Sequence, residues 1–262
     1  MTTTETSPPL FIGVSLKMYF DHLQTLQWCG QVRALVAQHP AIVSGAAELA
    51  VLPSLPALVP VSELFDGTSV RLGAQDISWE DRGAFTGEVG GTYLRQVGCS
   101  YAEIGHVERR RIFHEDDAIL TAKVDAAVRN NLTPILCVGE HEPVPAEQAA
   151  DVCIRQLQAM VAHVLITGPP RRIVVAYEPE WAIGAERPAA VSHISRVGLA
   201  LKQWLDAQGA LGGSQLIYGG SAGPGLLTEL GHAVDGLFLG RFAHKPEALR
   251  GILDEGALLA AG

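Results

Sequence analysis

Cysteine, basic charge and long apolar runs are all scarce in this 262-residue chain, and each scarcity closes off a class of protein. The four cysteines, Cys29, Cys99, Cys137 and Cys153, show no short paired spacing such as CxxC. So few and so scattered, they read as reduced thiols of a cytosolic protein, not as a disulfide framework. Lys and Arg number 19 against 28 Asp and Glu, giving a formal net charge of -9 with no basic run. With no basic run to neutralise a phosphate backbone, the chain is not expected to bind nucleic acid. An anionic substrate must then be captured by local positive potential. No stretch of ~18 apolar residues suggests a membrane span. The opening MTTTETSPP has neither a basic start nor an apolar core. Residues 1–9 are expected to be a flexible tail and not a signal peptide, leaving a soluble cytoplasmic protein. HExxH and calcium-loop spacings are missing too, so no metal is expected. No GxSxG nucleophile turn is present, and no GxGxxG follows the first strand.

What is present is a repeat of short β-rich apolar segments and longer segments of helical period. Strands are expected over Leu10–Lys17, Leu49–Pro53, Val70–Asp76, Ala102–Gly105, Pro134–Val138, Ile173–Tyr177, Gln215–Tyr218 and Leu237–Leu239. Helical stretches include Leu23–Gln38, Ala122–Asn130, Ala146–Ile166, Ile194–Ala207 and Pro246–Leu259. Strand-then-helix alternation without a long linker predicts a parallel sheet covered by helices. Of an open doubly wound sheet and a closed eight-stranded (β/α) barrel, the count and length favour the barrel, as one domain over residues 10–262.

Active sites of such barrels lie at the C-terminal strand ends. Lys17, closing the first strand in GVSLKM, is either a solvated terminus or a fixed ammonium for an anionic substrate and an oxyanion. His106 follows the fourth strand and precedes a charged helix start in YAEIGHVERR. A helix N-terminus disfavours the imidazolium, and a neutral ring can donate to a carbonyl and shuttle a proton. Glu178 ends the apolar run of the sixth strand in VVAYEPEWAIG, where a buried carboxylate needs compensation. It is either a base or half of an ion pair capping the barrel. Pro179 stiffens the chain there, and the small residues of WAIGAERPA suit a moving lid. Glycines cluster in Tyr218–Gly225 and in Leu239–Phe242, at strands seven and eight, where barrels often hold phosphate on backbone N–H groups. The Glu140–His141–Glu142 run reads as a solvated loop.

In order, spacing and local wording these residues resemble the triosephosphate isomerase family. The pieces are Lys17–Met18, Ala74–Asp76, Gly83–Glu88, Ile104–Arg110, Ile135–Glu140, Ala176–Gly184, Tyr218–Ser221 and Asp235–Gly240, spread from about Phe11 to Leu253. The resemblance implies an isomerase of phosphorylated three- or four-carbon ketoses that uses no cofactor. It casts Glu178 as the base, His106 as a neutral electrophile, Lys17 as the oxyanion and phosphate counter-charge, and Glu108 as their polar support. Backbone groups of Gly184, Ser221, Gly240 and Arg241 would hold phosphate under a lid of Trp181–Ala189. Thr86, in the Gly83–Glu88 loop, matches a segment that reaches into a neighbouring subunit, so a homodimer is implied.

Four departures from the family pattern bear on substrate. Ser15–Leu16 stands where the family has asparagine–tryptophan, Val107 follows the histidine in place of serine, Ala185–Pro188 replaces Thr-Gly-Lys-Thr, and Arg241 replaces a glycine. Ser15, the PG pair after YGGS, and LGR are similar to relatives acting on tetrulose phosphates, the L-erythrulose-1-phosphate isomerases. Ser15 would add volume beside the lysine and offer a hydroxyl to the longer substrate. Triosephosphate isomerase and a noncatalytic sugar-phosphate-binding barrel stand as alternatives.

Overall fold

β-Branched and apolar residues concentrate in short segments bounded by turn residues, and these segments become the staves of a barrel. A computed structural model describes residues 8–170 and 172–261; the tail expected over residues 1–9 lies, up to residue 7, outside them. The strands are β1 (Leu10–Ser15), β2 (Ala47–Leu52), β3 (Arg71–Ala74), β4 (Cys99–Ile104), β5 (Thr133–Val138), β6 (Val174–Tyr177), β7 (Gln215–Tyr218) and β8 (Gly236–Leu239). They pair in parallel in chain order, and β1 closes on β8. The helices between them are α1 (His22–Val36), α2 (Pro40–Val43), α3 (Leu58–Phe65), α4 (Gly91–Gln96), α5 (Val107–Ile112), α6 (Asp117–Arg129), α7 (Ala146–Thr167), α8 (Val191–Ala207), α9 (Leu226–Leu230) and α10 (Pro246–Ala261). The expected eight-stranded (β/α) barrel is the fold.

Because both faces of each strand are covered, the strands are buried almost throughout. Side chains alternate between two cores. Ile12, Val14, Leu49 and Val51 face the helical shell, while Phe11, Leu52, Tyr101, Ile135, Ala176 and Phe238 fill the lumen. Gly13 makes room for this filling: a Cβ there would lie 2.5 Å from the Phe238 ring. At the N-terminal mouth, Arg172 donates to Glu48 at 3.2 Å and to Gln215 at 2.9 Å, and Tyr101 joins the same cluster through Glu48. These polar groups stopper that end, so the open end is the C-terminal one. By length and composition α7 could cross a bilayer, but its face of Ala149, Cys153, Leu157, Met160 and Val164 is buried in the barrel's shell.

Several boundaries differ from expectation, for local reasons. The strand expected over Leu10–Lys17 stops at Ser15, and Lys17 turns into the left-handed region with φ 48°. Strand β4 starts at Cys99, not Ala102, after Gly98 (φ 93°) releases the chain from α4. Helix α6 starts at Asp117, not Ala122, because the Asp116 carboxylate accepts from the Ile119 N–H at 2.9 Å and caps it.

Candidate active site

Strand ends converge at the open mouth, and the sequence-selected residues arrive there on five of them. Ser15 is the last residue of β1 and Lys17 follows it; His106 and Glu108 follow β4; Glu178 follows β6 directly; Ser221, Gly240 and Arg241 follow β7 and β8. With Gly184 from the lid, all of them line one cavity of about 580 Å³.

Lys17 Nζ lies 2.8 Å from Glu108 Oε1. Burial alone would lower the lysine's pKa, but the hydrogen bond and charge of Glu108, with the charge of Glu178, outweigh it and hold the ammonium protonated. The left-handed backbone at Lys17 is held by its carbonyl, which accepts from Ser54 Oγ at 3.0 Å and Gln75 Nε2 at 3.1 Å.

His106 is the N-cap of α5, and its Nδ1 accepts from the Glu108 backbone N–H at 3.1 Å. That bond assigns the remaining ring proton to Nε2, which faces Glu178 Oε2 at 3.7 Å. Burial, then the nearby Lys17 charge, lowers the ring's pKa to about 4, so the imidazole is neutral at physiological pH.

Glu178 is buried, and burial raises its pKa to about 7 against the opposing pull of Lys17 and the Cys137 thiol. Its Oε2 has no hydrogen-bond partner among the described residues. An unpartnered carboxylate oxygen costs free energy and is a ready proton acceptor. Gly219 leaves the space: a Cβ there would sit 2.5 Å from Glu178 Oε1.

The segment Trp181–Ala189, read from the sequence as a lid, is tied down at several points. Ser221 Oγ lies 2.9 Å from the carbonyl oxygens of both Ala182 and Ala185, and the Ala189 N–H donates to Tyr218 Oη at 3.1 Å. Arg241 Nη2 donates to the Gly184 carbonyl at 3.2 Å, so its guanidinium turns toward the lid across the mouth. Trp181 Nε1 donates to Glu140 Oε1 at 2.9 Å. Glu140 therefore corrects the reading of a solvated loop: it is buried, and Tyr177 and His193 also bond to it, while His141 and Glu142 are exposed. The partners that bury Glu140 come from β6, the lid and α8, so nothing local in the sequence announces them.

Glu103 and Cys137 are functional candidates that sequence reasoning passed over. Both face the lumen; the two-residue spacing from Tyr101 puts Glu103 on the same face of β4 as that ring, without saying which face is inward. Among the described residues, no three His, Cys, Asp or Glu side chains are grouped to hold a metal ion.

Comparison with known proteins bears on this arrangement. The family model for triosephosphate isomerase matches residues 10–256. The chain belongs to the triosephosphate isomerase family and is an isomerase of the barrel type. L-Erythrulose-1-phosphate isomerase of Pectobacterium atrosepticum is 51% identical over 258 residues, spanning 97% of this chain and 98% of that one. Triosephosphate isomerase of Mycobacterium sp. (strain JLS) is 37% identical over 243 residues, spanning 88% and 90%. The crystal structure of triosephosphate isomerase from Bartonella henselae superimposes with a TM-score of 0.77 at 28% identity, covering 95% of this chain and 98% of that one.

Proposed function

We propose that the protein interconverts L-erythrulose 1-phosphate and D-erythrulose 4-phosphate through an enediol. The observation that carries this reading is the 51% identity, along nearly the full length of both chains, to an L-erythrulose-1-phosphate isomerase. L-Erythrulose 1-phosphate is dihydroxyacetone phosphate with a hydroxymethyl group on the carbon farthest from phosphate. Phosphate, carbonyl and abstracted proton therefore keep their spacing, and one catalytic set serves either substrate.

In the forward direction Glu178 takes the proton from C3, and the electron pair of that C–H bond forms the C2–C3 double bond. The carbonyl π pair moves onto O2, where Lys17 stabilises the developing charge and His106 donates from Nε2. His106 then recovers a proton from O3, and Glu178 returns its own to C2 as the new carbonyl forms at C3. Glu108 holds the ammonium in place by its 2.8 Å contact. Phosphate is held by backbone groups of Gly184, Ser221, Gly240 and Arg241, with the Arg241 guanidinium adding positive charge. Lid closure over Trp181–Ala189 keeps water from the enediol.

Triosephosphate isomerase is the second reading, favoured by the same catalytic set and by the mycobacterial relative at 37% identity. Measuring kcat/KM for L-erythrulose 1-phosphate and glyceraldehyde 3-phosphate separates them. The tetrulose phosphate is expected to be preferred, and a clear preference for the triose would overturn the first reading.

A further inference from the structure

The floor of the cavity carries an acid to which the steps above give no task. Glu103 stands on the inner face of β4, two residues above Tyr101, and only 4% of it is exposed. Its Oε2 accepts from Ser15 Oγ at 2.9 Å. Strands β1 and β4 lie three places apart around the barrel, so this bond crosses the lumen. Ser15 is its one hydrogen-bonding side chain among the described residues. The neighbouring lumen residues Leu52, Ile135, Ala176 and Phe238 are apolar. A carboxyl in such a layer costs stability that an apolar residue would not, and costs of this kind are retained where they serve a site.

Burial, followed by the charge of Glu178, raises the Glu103 pKa to about 8. At neutral pH the acid is largely protonated, so it can donate one hydrogen bond and accept others. A neutral acid here suits an uncharged hydroxyl. An ionised one would add repulsion beside Glu178.

The direction of a bound substrate follows from the arrangement of the cavity. Its phosphate end belongs at the rim, with the loops after β7 and β8 and the lid. Its reacting carbons belong between Glu178, His106 and Lys17. The end farthest from phosphate is then turned down into the lumen, toward the Ser15–Glu103 pair. A triose ends at the reacting carbon; a tetrulose continues by one hydroxymethyl group.

We propose that Glu103, braced by Ser15, is a specificity-determining residue that hydrogen-bonds the terminal hydroxyl of a four-carbon ketose phosphate. The inference rests on the tetrulose-phosphate reading and assigns that substrate's extra hydroxyl a partner. It also alters the part given to Ser15, whose hydroxyl is already committed to Glu103.

The ratio of kcat/KM for L-erythrulose 1-phosphate to that for glyceraldehyde 3-phosphate tests it, in the wild type, Glu103→Gln and Glu103→Leu. Leucine is expected to lower the ratio about 10- to 100-fold, since a site built to pair a hydroxyl loses discrimination when the partner goes. Glutamine keeps a donor and an acceptor and is expected to hold the ratio within about threefold. Ser15→Ala, which frees the carboxyl from its brace, lowers the ratio in the same direction and serves if the leucine variant does not fold. Equal losses on both substrates would mean that Glu103 only supports the neighbouring charges, and an unmoved ratio would overturn the proposal outright. A wild type that prefers the triose overturns the parent reading, and this inference with it. A wild type that prefers the tetrulose while the ratio stays fixed in all three variants overturns the inference alone.

Discussion

At the scale of single residues, the site works by making two groups carry less charge than water would give them. His106 is held neutral by burial and by Lys17, with Nε2–H directed at the substrate's space by the backbone bond to Nδ1. Glu178 is held near the point of protonation, with a pKa of about 7. Only the ionised form removes a proton from carbon, so kcat/KM is expected to fall tenfold per unit below pH about 7. The limb has this sign because the folded-state pKa is raised: protonation comes earlier on acidification than for an ordinary glutamate. His106 adds no limb of its own until pH about 4. Glu178→Gln is expected to lose about 10²- to 10⁴-fold in kcat while keeping its affinity for a phosphate ligand. Near-normal turnover, or a flat profile down to pH 5, would take the glutamate out of its role.

At the scale of elements, the strands position the chemistry and the glycines after them admit it. Gly219, just past β7, approaches Glu178 so closely that a Cβ would lie 2.5 Å from its carboxylate oxygen. Gly219→Ala is therefore expected to push Glu178 aside and lower kcat about 10²-fold, the usual cost of a displacement near 1 Å, with little loss of thermal stability. Unchanged kcat would show that the glutamate is indifferent to that wall. Legibility in the sequence divides along the same lines. Strand β7 falls on the expected Gln215–Tyr218 because three apolar or β-prone residues, Leu216, Ile217 and Tyr218, follow a glutamine between a serine and a glycine pair. The helices α2, α4, α5 and α9 span only four to six residues, too few to show a period. Lys17, His106 and Glu178 were visible as polar residues ending apolar runs. Glu103 was not, because an acid inside a strand looks like the solvent half of an alternation; only closure of the lumen shows it faces inward. Glu140 was hidden likewise, its partners lying on three other elements.

At the scale of the whole molecule, the loop Gly83–Glu88 stands out from the barrel with every residue exposed, and Phe85 rests on Trp79. Met18, next to Lys17, is 93% exposed. We propose that both are covered by a second copy of the chain, the loop entering its neighbour's site. Sedimentation is expected to give twice the mass of one chain, and Thr86→Arg is expected to shift it toward one with loss of activity. A wild type that sediments as a single chain and is fully active would end this proposal. The stopper of Arg172, Glu48, Gln215 and Tyr101 at the far mouth has a consequence of its own. Beneath the packed lumen it seals the base of a cup. Whatever enters the cavity must leave by the mouth through which it came.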